Sequence, residues 1–91
     1  MKLLYCGLCQ DIFKLDSVLK TCKCKKSSGQ YITINTAEIK GKYAIPLCIG
    51  WTSFNKAIEN RPFDEKENLK APAYFNSWIP PKMCDSITHL D

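Results

Sequence analysis

Four of the six cysteines in this 91-residue chain fall in two close pairs, Cys6-Gly7-Leu8-Cys9 and Cys22-Lys23-Cys24, with twelve residues between them. Two short thiol pairs at that separation can converge on one tetrahedral ion. Zinc is the expected occupant, because thiolates are soft ligands and zinc imposes no geometry of its own. One ion per chain, held by Cys6, Cys9, Cys22 and Cys24, follows. With all four positions filled by protein, none is left for water or substrate, so the expected zinc is structural rather than catalytic. A knuckle turn should also aim backbone N–H groups at the sulfurs and damp the charge that four thiolates concentrate.

The other side chains with chemical potential have weaker claims. Cys48 sits in an apolar run and reads as a small core hydrophobe. Cys84 follows Pro81-Lys82-Met83, and the only histidine, His89, lies beyond it in what reads as a frayed tail, so no nucleophile has a positioned base. Neither Cys48 nor Cys84 is expected to bind metal or to be bridged. Lys20, Lys23, Lys25 and Lys26 surround the second pair. They are either a phosphate-contacting patch for nucleic acid or counter-charge for the metal thiolates, and compensation is the preferred reading. The ten aromatic residues could stack bases if exposed. Tyr31, Trp51, Phe54 and Trp78 are expected in the core instead, with Tyr43, Tyr74 and Phe75 the rings whose exposure would matter.

The elements that must hold the thiols are short. Residues 2–5 enter as a strand, the first cysteine pair turns the chain, and residues 11–15 leave with alternating apolar positions. Asp16-Ser17 marks a turn, residues 18–21 return, and residues 22–29 form a second knuckle rich in Lys and Ser. Residues 1–29 thus read as a zinc ribbon. Residues 30–35 and 37–40 are rich in β-branched residues or alternate, with a hairpin expected around Lys40-Gly41-Lys42. Residues 43–49 form an apolar strand that Pro46 consigns to an edge or bulged position. Thr52 or Ser53 caps a helix near 53–60 that Pro62 ends. Residues 63–72 read as an acidic loop, and residues 73–79 as a last aromatic strand before Pro80-Pro81.

Size and charge bound what such a chain does. Ninety-one residues make a single domain, 1–91, with one modest core and a narrow stability margin, which a structural metal widens. The expected fold is β-rich small α+β: the four-thiolate ribbon of 1–29 packed on a small antiparallel sheet with one short helix from the remainder, 30–91. The chain reaches its first cysteine pair too soon for a signal peptide, and no apolar run approaches a membrane span. A cytoplasmic location with reduced or metal-bound thiols is therefore the expectation. The formal charge of +4 falls toward +2 once four thiolates and a divalent ion add −2. Eight lysines face Asp11, Asp16 and Glu38 within residues 1–45, and Arg61 is the only arginine, a composition unsuited to bidentate recognition.

The order Cys6-x-x-Cys9, Asp11-x-Phe13-Lys14-Leu15, Cys22-x-Cys24, Ser28-Gly29-x-Tyr31, Ala44-Ile45-Pro46-Leu47, Ser53-Phe54, Asn60-Arg61-Pro62, Ile79-Pro80 and Lys82-x-Cys84 resembles a group of uncharacterised small zinc-ribbon-like proteins of bacteria and phages. Lys25 stands where Gly is expected after the C-x-C. The resemblance implies a ribbon with a β-rich remainder and no known activity. From the residues themselves, the expectation is a non-enzymatic zinc-binding module with a protein partner. Nucleic acid is the alternative through Lys20, Lys23, Lys25 and Lys26, and neither a membrane nor a small-molecule substrate is indicated. An exposed apolar face away from the thiols would favour the protein partner.

Overall fold

Each cysteine pair sits in the turn of a short hairpin, and later strands widen both hairpins into sheets. The computed structural model describes residues 1–60, 72–81 and 84–90. In the first sheet, β1 (Lys2–Cys6) pairs antiparallel with β2 (Ile12–Lys14) across the first cysteine turn, so that Leu4 faces Phe13 and Tyr5 faces Ile12. In the second, β3 (Lys20–Thr21) pairs with β4 (Ser28–Tyr31) across the second turn. The chain then supplies β5 (Ala37–Lys40) to the second sheet and β6 (Ala44–Ile49) to the first. The helix α1 (Trp51–Glu59) follows, then β7 (Ser77–Trp78) and β8 (Ile87–Leu90). The two sheets run β2-β1-β6-β7 and β3-β4-β5-β8.

One core lies between them. Period-two alternation puts Leu4, Ala44 and Cys48 of the first sheet on the same side as Ala37, Ile39 and Ile87 of the second, with Leu15 between and Phe13 and Tyr31 packed at the margin. Leu4, Leu15 and Ile39 are at most 2% exposed, and each such side chain contributes roughly 1.5–3 kcal/mol by leaving water. Gly29 makes the close approach possible: a Cβ there would stand 2.9 Å from Leu15 and 3.1 Å from both Ile39 and Leu4.

Several expectations are corrected by this arrangement. There are two sheets rather than one, and β8 pairs parallel with β5, so the second is mixed. The turn at Gly41 does not close a hairpin. β5 pairs with β4 and β8, while β6 pairs with β1 and β7, so the chain there crosses from one sheet to the other. The strand expected over 30–35 ends at Tyr31, where Thr33 and Thr36 bond each other through their hydroxyls at 2.6 Å and turn the backbone away from the ladder. β6 is internal in its sheet despite Pro46. Since β7 reaches only Cys48 and Ile49, the flank beside Pro46 has no strand against it among the described residues, and its missing N–H costs no ladder bond.

The last strand and the helix also differ from expectation. The aromatic strand shrinks to Ser77–Trp78. His89 belongs to β8, its Nε2 2.8 Å from the Gly41 carbonyl oxygen, and is no frayed tail. The helix starts at Trp51 with Gly50 as its N-cap, ahead of the Thr52 or Ser53 cap expected. Ser53 instead donates its hydroxyl to the Gly50 carbonyl at 3.1 Å and accepts the Asn76 N–H at 2.9 Å, tying helix to β7. The helix buries no residue completely, and its contact with the 72–81 segment includes Phe54 edge-on to Phe75 at 4.9 Å. Trp51 and Trp78 are therefore half exposed, whereas Tyr31 and Phe54 are partly buried. The helix stop at Pro62 and the acidic loop over 63–72 lie outside the described residues, apart from Pro72.

Candidate metal centre

The two turns close alike although their cysteine spacings differ. In the first, the Cys6 N–H bonds the Asp11 carbonyl at 2.9 Å and the Gln10 N–H bonds the Cys6 carbonyl at 2.8 Å. In the second, the Cys22 N–H bonds the Ser27 carbonyl at 2.9 Å and the Lys25 N–H bonds the Cys22 carbonyl at 3.0 Å. Each loop thus closes between its first cysteine and the residue five positions on. Within that frame the second thiol comes one residue earlier in the C-x-C turn. The residue after each second cysteine takes the left-handed conformation, Gln10 at φ 62° and Lys25 at φ 65°. Lys25 therefore adopts the backbone for which Gly was expected, and the tight knuckle forms with a strained lysine.

Cys6, Cys9, Cys22 and Cys24 come together as expected, with their sulfurs all within 4.8 Å of one another. Cys22 and Cys24 are 3.4 Å apart at sulfur, and Cys6 and Cys24 are 3.7 Å apart. A tetrahedral ion with metal–sulfur bonds of about 2.3 Å needs sulfurs about 3.8 Å apart, so the donor set fits a thiolate-coordinated ion. The group can hold a metal ion. Cys6 and Cys22 are buried, and Cys9 and Cys24 are partly exposed.

Ser27 organises the sulfurs. Its side chain is 1% exposed, its hydroxyl lies 3.2 Å from Cys6 Sγ, and its N–H donates to Cys22 Sγ at 3.3 Å. The Ser27 hydroxyl, then the Cys9 N–H, hold the Cys6 thiol down to about 6. Burial raises Cys22, but the Ser27 N–H and the Cys24 thiol outweigh it and bring Cys22 below its ordinary value. For Cys24 the Lys26 N–H pulls down, yet burial and the neighbouring sulfurs together push it up to about 12. The backbone donors expected of the knuckles are thus in place around the cluster.

Two further residues hold the turns together. The Asp11 carboxylate accepts the Lys23 N–H at 3.0 Å, so the first turn grips the tip of the second. Gly41, at φ 122°, lies so close to the second turn that a Cβ would overlap the Lys26 carbonyl oxygen and crowd Ser27. The Tyr43 carbonyl accepts the Gly7 N–H at 2.8 Å. The crossing between sheets therefore presses on both turns. Sequence reading missed Ser27, Asp11 and Gly41 as parts of the centre. The available signal was that Asp11 and Ser27 each stand five residues after the first cysteine of a pair.

The lysine cluster is divided. Lys23, Lys25 and Lys26 are exposed on the second turn. Lys20 instead donates to the Lys14 carbonyl at 3.0 Å and lies 4.0 Å from Asp16. The cation–π pairs among the described residues are Lys2 with Tyr31, Lys14 with Trp51 and Lys42 with Tyr43, so none of the four sits over a ring there. Cys48 lies in the core as expected, 8% exposed. No helix among the described residues is long and apolar enough to cross a membrane. Comparison with protein-family models, with curated proteins and with solved structures found no significant match.

Proposed function

We propose that this protein is a non-enzymatic zinc-binding module of a reducing, cytoplasmic environment, in which Cys6, Cys9, Cys22 and Cys24 hold one structural zinc and an apolar sheet face docks a protein partner. The observation that carries the zinc reading is the four-sulfur cluster with its donor shell from Ser27, Cys9 and Lys26. Every ligand is a side chain of the chain itself, the arrangement of a zinc that supports a fold.

The partner reading rests on the first sheet's outer side. Residues that alternate with the core set, Leu3 of β1, Ile12 of β2 and Leu47 and Ile49 of β6, line an open cavity of about 360 Å³ with Phe75 and Ile79. Ile12 is 51% and Ile79 67% exposed. An apolar floor of this kind outside the core suits a protein surface better than a nucleic-acid backbone. Elemental analysis of protein purified without added metal tests the zinc reading: one zinc per chain is expected, and a folded chain without stoichiometric metal overturns it. Ile12→Glu tests the face, with loss of partner capture at unchanged zinc content as the expected result.

A further inference from the structure

The fold brings together two thiols that stand far apart in sequence and play no part in the metal centre. Cys48 on β6 and Ile87, the first residue of β8, belong to the same buried core cluster. Ile87 forms an antiparallel bridge with Cys84, and its N–H bonds the Cys84 carbonyl at 3.2 Å, so a tight turn ties Cys84 to the start of β8. Both cysteines line one open cavity of about 280 Å³, together with Met1, Lys2, Trp78 and Ser86. Both are free thiols.

Their surroundings differ. Cys84 is partly exposed and its sulfur lies 3.2 Å from the Ser86 hydroxyl. That hydroxyl, followed by the Ser86 N–H, lowers the Cys84 thiol from its ordinary value. Cys48 is buried, and burial raises its thiol against the opposing pull of the Lys2 charge, with the charge of Cys84 adding a smaller push upward. One sulfur is thus reachable and easier to ionise than an ordinary thiol, and the other is sheltered and harder to ionise.

We propose that Cys48 and Cys84 form an oxidisable dithiol site, independent of the metal thiolates, which a hydroperoxide converts into an intramolecular disulfide. The Cys84 thiolate attacks the peroxide oxygen: an S–O bond forms, the O–O bond breaks, and the leaving oxygen departs with a proton as water or alcohol. Cys48 then attacks the resulting sulfenic acid. The S–S bond forms, the S–O bond breaks, and the hydroxyl leaves as water with the Cys48 proton. The two sulfurs together lose two electrons and the hydroperoxide gains them.

Stoichiometric hydrogen peroxide added to the zinc-loaded full chain tests this. Expected are loss of two free thiols with zinc retained, a disulfide-linked peptide pair containing Cys48 and Cys84, and reversal by dithiothreitol. Cys48→Ser should leave a dimedone-trappable sulfenic acid at Cys84, and Cys84→Ser should leave Cys48 unoxidised. In the wild-type chain, needing no variant, iodoacetamide should label Cys84 at least about tenfold faster than Cys48. Absence of the Cys48–Cys84 peptide, or its appearance only after zinc release, overturns the proposal.

Discussion

Ser27 carries more of the metal centre than its residue type suggests, because one buried side chain and its own N–H supply donors to two different sulfurs. Ser27→Ala keeps the N–H and removes the hydroxyl. Zinc affinity should fall roughly 10–100-fold, measured by competition with a chromogenic chelator, as for other residues that orient metal ligands. The direction of pH dependence follows from the thiols. Metal and protons compete for the same sulfur lone pairs, and Cys24, pushed up to about 12, still holds its proton at neutral pH in the metal-free chain. Zinc binding should therefore release protons, and affinity should fall as pH falls. The fall should steepen below about 6, where Cys6 also takes up a proton. Titration in two buffers of different ionisation enthalpy measures the release. The left-handed residues give an opposite kind of prediction: Gln10→Gly and Lys25→Gly should each stabilise the protein by about 0.5–1 kcal/mol, since glycine occupies that backbone without the Cβ penalty. A rise in Tm of a few degrees is the readout. The clustering of the four cysteines was legible from spacing alone. Ser27 and Asp11 were not, since ordinary polar residues gain their role only when two turns are brought face to face.

The hairpins that carry the thiols follow from alternation and turn chemistry over a few residues, and both could be read directly. The strands that complete the sheets could not. β8 takes its place by pairing parallel with a strand fifty positions earlier, and β6 crosses to the other sheet past Gly41, neither of which local pattern encodes. Because Ile87 is 5% exposed and contacts the core, Ile87→Ala should cost about 2–5 kcal/mol in denaturant unfolding, a loss that a frayed tail would not produce. Gly41→Ala should lower zinc occupancy as well as stability, because the added methyl meets the backbone of the second thiol turn rather than solvent. The lysines on that turn admit a separate test. Replacing Lys20, Lys23, Lys25 and Lys26 by Gln should weaken zinc binding if they offset thiolate charge. Salt-dependent binding of oligonucleotides by the wild type, lost in the quadruple variant with zinc retained, would move nucleic acid ahead of a protein partner.

In the whole molecule the thiol cluster sits at the seam between the two sheets, with Cys6 at the end of β1 in the first sheet and Cys22 just beyond β3 in the second. Chelation of bound zinc should therefore loosen both sheets together, seen as a single cooperative loss of amide protection across β1 and β4, given that structural zinc contributes about 10–16 kcal/mol in small peptides. The position of the cluster also bears on how the chain is made. All four thiols and Ser27 leave the ribosome before any residue of β5, β6 or β8, and at ~5–20 residues per second the later strands arrive seconds afterwards. During that interval β1 and β4 each lack a pairing neighbour, and the apolar side chains of the future core have nothing to cover them. An ion captured by the nascent segment would clamp the two hairpins in their final relative orientation, so that the sheets grow onto a template already set rather than having to find each other across a finished chain.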